Sequence, residues 1–277
     1  MSPDGSSIAL GGDSDPPPEC CGGASAARAW DISSGEELWR IADDRTVNEV
    51  AFSQDGDHVA TADWQGTVKI VERSGRVIRV LSDPDFDASD VAFSSDGRLV
   101  ATAEFDNQGR ERVRIWDWAR RDVLRTIDAE GPWPRVDFDP TGPRVVLSGS
   151  DGLAEIWDVQ SGTRAAVLAG PPGGVKDLAF SPDGSGIAIA SVDGLVRLFD
   201  GDTGALQLSL PGSGCAVEGV AFSPDGRKLA STSWCDGVRI WALDIDDLLQ
   251  IARREAGRSL TADECRRYLH VSECPHA

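Results

Sequence analysis

Val220-Ala221-Phe222-Ser223-Pro224-Asp225-Gly226 is one of five copies of a single phrase, an apolar run ending in Phe and then a polar turn ending in Gly. The others are Val50-Ala51-Phe52-Ser53-Gln54-Asp55-Gly56, Val91-Ala92-Phe93-Ser94-Ser95-Asp96-Gly97, Val136-Asp137-Phe138-Asp139-Pro140-Thr141-Gly142 and Leu178-Ala179-Phe180-Ser181-Pro182-Asp183-Gly184. The Phe residues stand at 52, 93, 138, 180 and 222, at intervals of 41, 45, 42 and 42 residues. A fixed period near forty marks a repeat architecture.

Outward from each phrase the same order recurs. An alternating apolar stretch such as Lys228-Leu229-Ala230-Ser231-Thr232-Ser233 follows the first turn. A second turn comes next, at Asp151-Gly152, Asp193-Gly194 and Asp236-Gly237, and then a third stretch closed by an aromatic, as in Ala154-Glu155-Ile156-Trp157-Asp158. A Ser-Gly or Thr-Gly turn (Ser161-Gly162, Thr203-Gly204) leads to a fourth stretch. Period-two apolar runs bounded by such turns read as antiparallel strands. Four short strands per repeat make one twisted sheet, which must stack on its neighbours around an axis to bury its faces.

These residues resemble the WD40 β-propeller family. Trp30-Asp31, Trp116-Asp117 and Trp157-Asp158 match its Trp-Asp signature, and Phe199-Asp200 is a near match; Val71-Glu72 departs from it. The resemblance implies an all-β propeller over residues 1–244, with six blades at about 1–42, 43–82, 83–127, 128–169, 170–211 and 212–244. The family's Gly-His pair is absent, and the His residues are His58, His270 and His276. Its Asp–His–Ser–Trp hydrogen-bond network is therefore not expected.

Residues 2–5 are the turn of a sixth copy, with Met1 in place of the Phe. The first blade is thus expected to lack its inner strand and the last its outer strand, which reads as part of a longer or truncated polypeptide. Residues 13–27 carry Pro16-Pro17-Pro18 and Gly22-Gly23 and read as a mobile insertion. From Asp244 the period changes. Ile245, Leu248, Leu249, Ile251 and Ala252 share a helical face, Asp244 suits the cap, and Thr261-Ala262-Asp263-Glu264 opens a second short helix. Residues 245–277 therefore read as a helical tail covering the last blade. The tail also looks like that of WD40 proteins from high-GC bacteria, in which the propeller often follows a signalling module. The preponderance of Arg over Lys fits such a source.

The net charge is −19, from 46 acids against 27 bases. That balance repels a polyphosphate backbone and argues against nucleic-acid binding. No long apolar run predicts membrane insertion or a secretory leader, so a cytoplasmic location is expected. Among the six cysteines, Cys215 and Cys235 fall in one blade and are candidates for a disulfide, as are Cys265 and Cys274 in the tail. Cys20 and Cys21 lie in the insertion. Cys265, His270, Cys274 and His276 lack the tight Cys-x₂₋₄-Cys spacing of a structural zinc site, so no metal is expected. No Gly-x-Ser-x-Gly elbow, phosphate loop or HExxH helix occurs, and neither an enzyme nor a cofactor is predicted.

The resemblance places the connections before each phrase and the turns before each third strand on one face, the family's usual binding face. Trp64, Phe105, Trp133 and Trp234 fall there, accompanied by Asp63 and Glu104. Aromatic anchors beside acids suit a basic or amphipathic protein segment. The expected role is a non-enzymatic scaffold for protein–protein interaction in a signalling or regulatory protein; the alternatives are a hydrolase-like propeller and a truncated gene product without independent function.

Overall fold

The computed structural model describes residues 1–13, 25–43, 46–129, 134–148, 152–170, 174–212, 214–244 and 247–248. They form six antiparallel sheets that follow one another along the chain. The first holds β1 (Ser7–Asp13), β2 (Ser25–Asp31) and β3 (Glu37–Asp43). The second holds β4 (Val47–Phe52), β5 (His58–Asp63), β6 (Thr67–Glu72) and β7 (Val77–Ser82). The third holds β8 (Asp87–Phe93), β9 (Leu99–Phe105), β10 (Glu111–Asp117) and β11 (Asp122–Ala129). The fourth holds β12 (Val136–Phe138), β13 (Arg144–Ser148), β14 (Ala154–Asp158) and β15 (Thr163–Leu168). The fifth holds β16 (Val175–Phe180), β17 (Gly186–Ser191), β18 (Leu195–Asp200) and β19 (Leu206–Pro211). The sixth holds β20 (Val217–Phe222), β21 (Lys228–Ser233) and β22 (Gly237–Ala242). Every sheet pairs its strands in chain order, so each is a meander, and the six make a propeller.

The repeated turn has a repeated cause. In Ser53–His58, Ser94–Leu99, Ser181–Gly186 and Ser223–Lys228, the Ser hydroxyl donates to the Asp two residues on, at 2.6–2.7 Å. The same oxygen accepts the amide five residues on, at 2.8–3.0 Å. Ser2 and Asp4 build the same turn at the start of the chain. The Gly that ends each turn has φ near +70°, which a side chain would strain. In the fourth sheet Asp139 takes over, accepting from the amide and hydroxyl of Thr141.

The Asp of the Trp-Asp signature has an equally local role. Asp31, Asp158 and Asp200 accept the amides of Ser34, Ser161 and Thr203, closing the turn into the fourth strand. Just before each closing aromatic the pairing slips by one residue, at Ala29/Trp30, Ile115/Trp116, Ile156/Trp157 and Leu198/Phe199. Such a bulge re-aims the side chain that follows.

The core lies between sheets rather than within them. Phe93 and Trp116 of the third blade pack on Ala60 and Ala62 of the second. Phe138 of the fourth meets Ala101 and Ala103 of the third, and Phe180 and Phe199 of the fifth meet Val146 and Ala154 of the fourth. A small-residue face on one blade thus receives the aromatics of the next. Each buried aromatic contributes about 1.5–3 kcal/mol by leaving water.

One expectation changes in detail. Asp13 and residues 25–27 belong to paired strands and not to the insertion, because Asp13 pairs with Ser25. The insertion's remaining residues, with Cys20 and Cys21, lie outside the described residues. In the tail, Asp247 and Leu248 are helical and Asp244 Oδ1 accepts the Asp247 amide at 3.1 Å. The rest of the tail, with Cys265, His270, Cys274 and His276, lies outside the described residues.

Candidate interaction face and central channel

In a meander the first-to-second and third-to-fourth turns share one end, and the second-to-third turns share the other with the connections between sheets. The second end carries Trp64, Phe105 and Trp234. Trp64 and Phe105 come together across the boundary of the second and third blades, ring centroids 5.7 Å apart and edge to face. Both are half-buried. Trp234, in the β21–β22 turn, is 88% exposed. Beside it Cys235 is disulfide-bonded to Cys215, their Cα atoms 6.0 Å apart. The bond ties the connection into β20 to the turn that holds Trp234. Trp133 lies outside the described residues.

Asp63 and Glu104 occupy this end but face inward, each 3% exposed. Asp63 Oδ1 accepts the amides of Gln65 and Thr67 and shapes the turn that presents Trp64. Glu104 receives Arg112 and Arg114, each at 2.8 Å, and both arginines also reach Asp83. The Arg112 guanidinium lies 3.5 Å from the Phe86 ring centroid. This network fixes the loop beside Phe105. The two acids therefore support the aromatics instead of standing beside them on the surface.

Part of the family's internal network survives without His. Trp116 Nε1 donates to Thr102 Oγ1 at 3.0 Å, and that hydroxyl donates to Glu104 Oε1 at 2.5 Å. In the sixth blade Trp241 Nε1 donates to Ser231 Oγ at 2.9 Å. In the fourth, Trp157 Nε1 finds Glu155 Oε2 at 2.8 Å. A buried indole N–H needs a partner, and a hydroxyl or carboxylate on a neighbouring strand position serves.

The inner strands surround a channel of about 700 Å³ lined by Glu49, Asp90, Asp137 and Asp177 together with residues of every sheet. Bulges at Val47/Glu49, Ala88/Asp90 and Val175/Asp177 turn three of these acids toward it. Arg135 reaches from the fourth blade to the fifth, the third and the second. Its Nε donates to the Lys176 carbonyl at 2.9 Å, and its Nη1 lies 3.4 Å from the Ser89 carbonyl and 3.9 Å from Glu49. Burial pushes Asp137 up to about 7 and Asp177 up to about 6. Burial also raises Asp90 well above the usual carboxylate range, with Glu49 adding to the effect. This cluster is not among the residues singled out from the sequence. Glu49, Asp90 and Asp177 share the position three before each Phe, which reads Glu49, Asp90, Arg135, Asp177 and Gly219 in successive copies, while Asp137 stands one before Phe138.

The family model described as "WD domain, G-beta repeat" matches residues 37–72, 75–117, 125–158, 162–200 and 204–242, more than half the chain. The chain belongs to the WD40 family. Among curated proteins, this WD40 chain is 25% identical over 140 residues to telomerase protein component 1 of Rattus norvegicus, covering 50% of the chain and 5% of that protein. The Mus musculus counterpart is 26% identical over 140 residues, with the same shares. Pre-mRNA-splicing factor cwf17 of Schizosaccharomyces pombe is 31% identical over 58 residues, 21% of the chain and 17% of that protein. The WD40 chain therefore spans a small part of the relatives it matches, and these relatives are eukaryotic.

Proposed function

We propose that this WD40 propeller is a non-enzymatic scaffold that seats a protein segment on the end bearing Trp64, Phe105 and Trp234. WD40 propellers are in the main non-catalytic scaffolds, and the relatives named as a telomerase component and a splicing factor fit that role. The observation that carries the reading is the pairing of Trp64 with Phe105 at a blade boundary, backed by a rigid ionic network and accompanied by the exposed Trp234. Rigid aromatics at a rim are efficient anchors because little side-chain entropy is lost on binding. The net charge of −19 favours a basic or amphipathic partner over nucleic acid or a membrane. A place in a bacterial signalling protein, in the cytoplasm, is the context we infer from composition and from the tail's resemblance. The cap at Asp244 supports a helical tail.

The test is selection from a displayed random-peptide library on the immobilised chain. Enrichment of Lys- and Arg-bearing peptides with apolar residues, whose binding falls at least tenfold with Trp64→Ala, supports the proposal. Enrichment of acidic peptides, or binding unchanged in both Trp64→Ala and Trp234→Ala with the fold intact, refutes it.

A further inference from the structure

Each blade boundary from one–two through five–six has its own apolar cluster. Among the described residues no cluster joins blade six to blade one. The face that blade six turns away from blade five carries Ala221, Ala230, Val238 and Ile240, which the strand register places on one side of the sheet. Val238 and Ile240 are 66% and 63% exposed. Val68 and Ile70, Val113 and Ile115, and Val196 and Leu198 hold the same register positions in their own sheets and are buried. In each of those cases the Phe-bearing face of the following blade covers them.

Blade one presents the matching half. Ile8 stands opposite Trp30 as Val100 stands opposite Trp116 and Ile187 opposite Phe199. On their other side Val100 and Ile187 pair with Phe93 and Phe180 and are buried, whereas Ile8 and Leu10 are 36% and 52% exposed. β1 is the first strand of its sheet, so no Phe stands opposite Ile8. The turn that would lead out of such a strand is nevertheless built. The Ser2 amide donates to the Ser7 carbonyl at 2.8 Å, as Ser53, Ser94, Ser181 and Ser223 donate to the residue five further on. In those four turns the residue just before the Ser is the paired Phe. Ser2 therefore aims the backbone ahead of it along the open edge of β1.

Met1, Pro3 and Ala9 line the central channel together with Ala221, Phe222 and Pro224, so the two open faces flank one gap. We propose that this gap is a docking site for one further blade of the same repeat, carried on polypeptide that runs into Ser2. The Phe-bearing face of that blade seats on Ala221, Ala230, Val238 and Ile240. Its small-residue face receives Ile8, Leu10 and Trp30, and a last strand bearing Phe pairs with β1. Exposed apolar faces and an open strand edge invite association. A second copy covers one face at a time, whereas two faces across one gap call for a single wedge-shaped occupant, the shape of a blade stacked about an axis.

The test places a copy of residues 43–93, a blade with the inner strand that follows it, ahead of Ser2 in the full chain. The junction then reads Phe-Ser-Pro-Asp-Gly, as it does from Phe222 to Gly226. A second fusion uses residues 170–222, with Cys215→Ser in the copy. Hydrogen–deuterium exchange is measured on the original chain and on both fusions, with molar mass from light scattering. In a monomeric fusion, exchange at residues 7–10 and 238–241 should slow by about tenfold or more relative to the original chain. Unchanged exchange in a folded fusion, exchange already slow in the monomeric original chain, or failure of both fusions to fold would each overturn the proposal. Exchange that is slow in the original chain only when it dimerises would assign the faces to a second copy and overturn it too.

Discussion

The rings of Trp64 and Phe105 meet edge to face, centroids 5.7 Å apart, one from the turn after β5 and the other from the end of β9. The contact joins two blades at the end of the ring where the connections gather. Removing Trp64 takes away both an anchor and one wall of the boundary. Trp64→Ala is expected to weaken binding of a selected basic peptide by about 2 kcal/mol, roughly thirtyfold. Isothermal titration checks this, with the thermal midpoint measured alongside to separate lost binding from lost fold.

Thr102 sits beneath Trp116 and accepts its indole N–H while donating to Glu104. All three are buried. Thr102→Val keeps the shape but leaves the N–H unmet, which is expected to lower stability by about 1–3 kcal/mol in urea unfolding. Ser231→Ala breaks the matching bond from Trp241, which is half-buried where Trp116 is buried. The smaller loss expected there would show that burial, and not the bond alone, sets the cost.

How much of this was legible before the structure depends on how far apart the partners stand in the chain. The six meanders follow from local signals, because Ser53 and Asp55, or Asp200 and Thr203, meet within a few residues. The packing of phrase aromatics on alanines follows from the period. The channel does not, since Asp177 meets Val220 only when the ring brings successive copies side by side. Asp63 and Glu104 each stand next to an aromatic in the sequence, which suggests acids on the surface beside it. Strand alternation instead turns them inward, where turn amides and two arginines receive them. The Trp–hydroxyl bond was hidden by the missing His, although Thr102 and Ser231 already held the accepting oxygen.

Cys215 and Cys235 close a loop with a sequence separation of 20 residues. A disulfide of that span is worth roughly 3 kcal/mol in the unfolded chain's lost freedom. Reduction, or Cys235→Ser, is expected to lower the urea midpoint and to raise hydrogen exchange selectively in β20 to β22. Exchange measured by mass spectrometry with and without a dithiol checks this. Equal exchange in both states would show that the sixth blade does not depend on the bond, as a chain working in a reducing cytoplasm would require.

The aspartates of the repeated turns behave oppositely to those of the channel. The Ser53 hydroxyl holds the Asp55 carboxyl below the usual range, and the hydroxyls of Ser181 and Ser223 do the same for Asp183 and Asp225. A depressed folded value means stability that is present above about pH 4 and lost as the pH falls through the folded value. Stability should therefore decline below about pH 4 in urea titrations. In Ser181→Ala, Ser223→Ala the decline should begin at the same pH but be shallower and end sooner, because those carboxyls return toward their ordinary value.

The central claim is that a partner seats on the end of the ring bearing Trp64, Phe105 and Trp234. Hydrogen–deuterium exchange of the full chain, with and without a selected basic peptide, tests it most directly. Slowed exchange in residues 64–67, 105–111 and 234–237 is the expected result. Slowing confined to the opposite turns, at residues 53–58, 94–99 and 223–228, would contradict it.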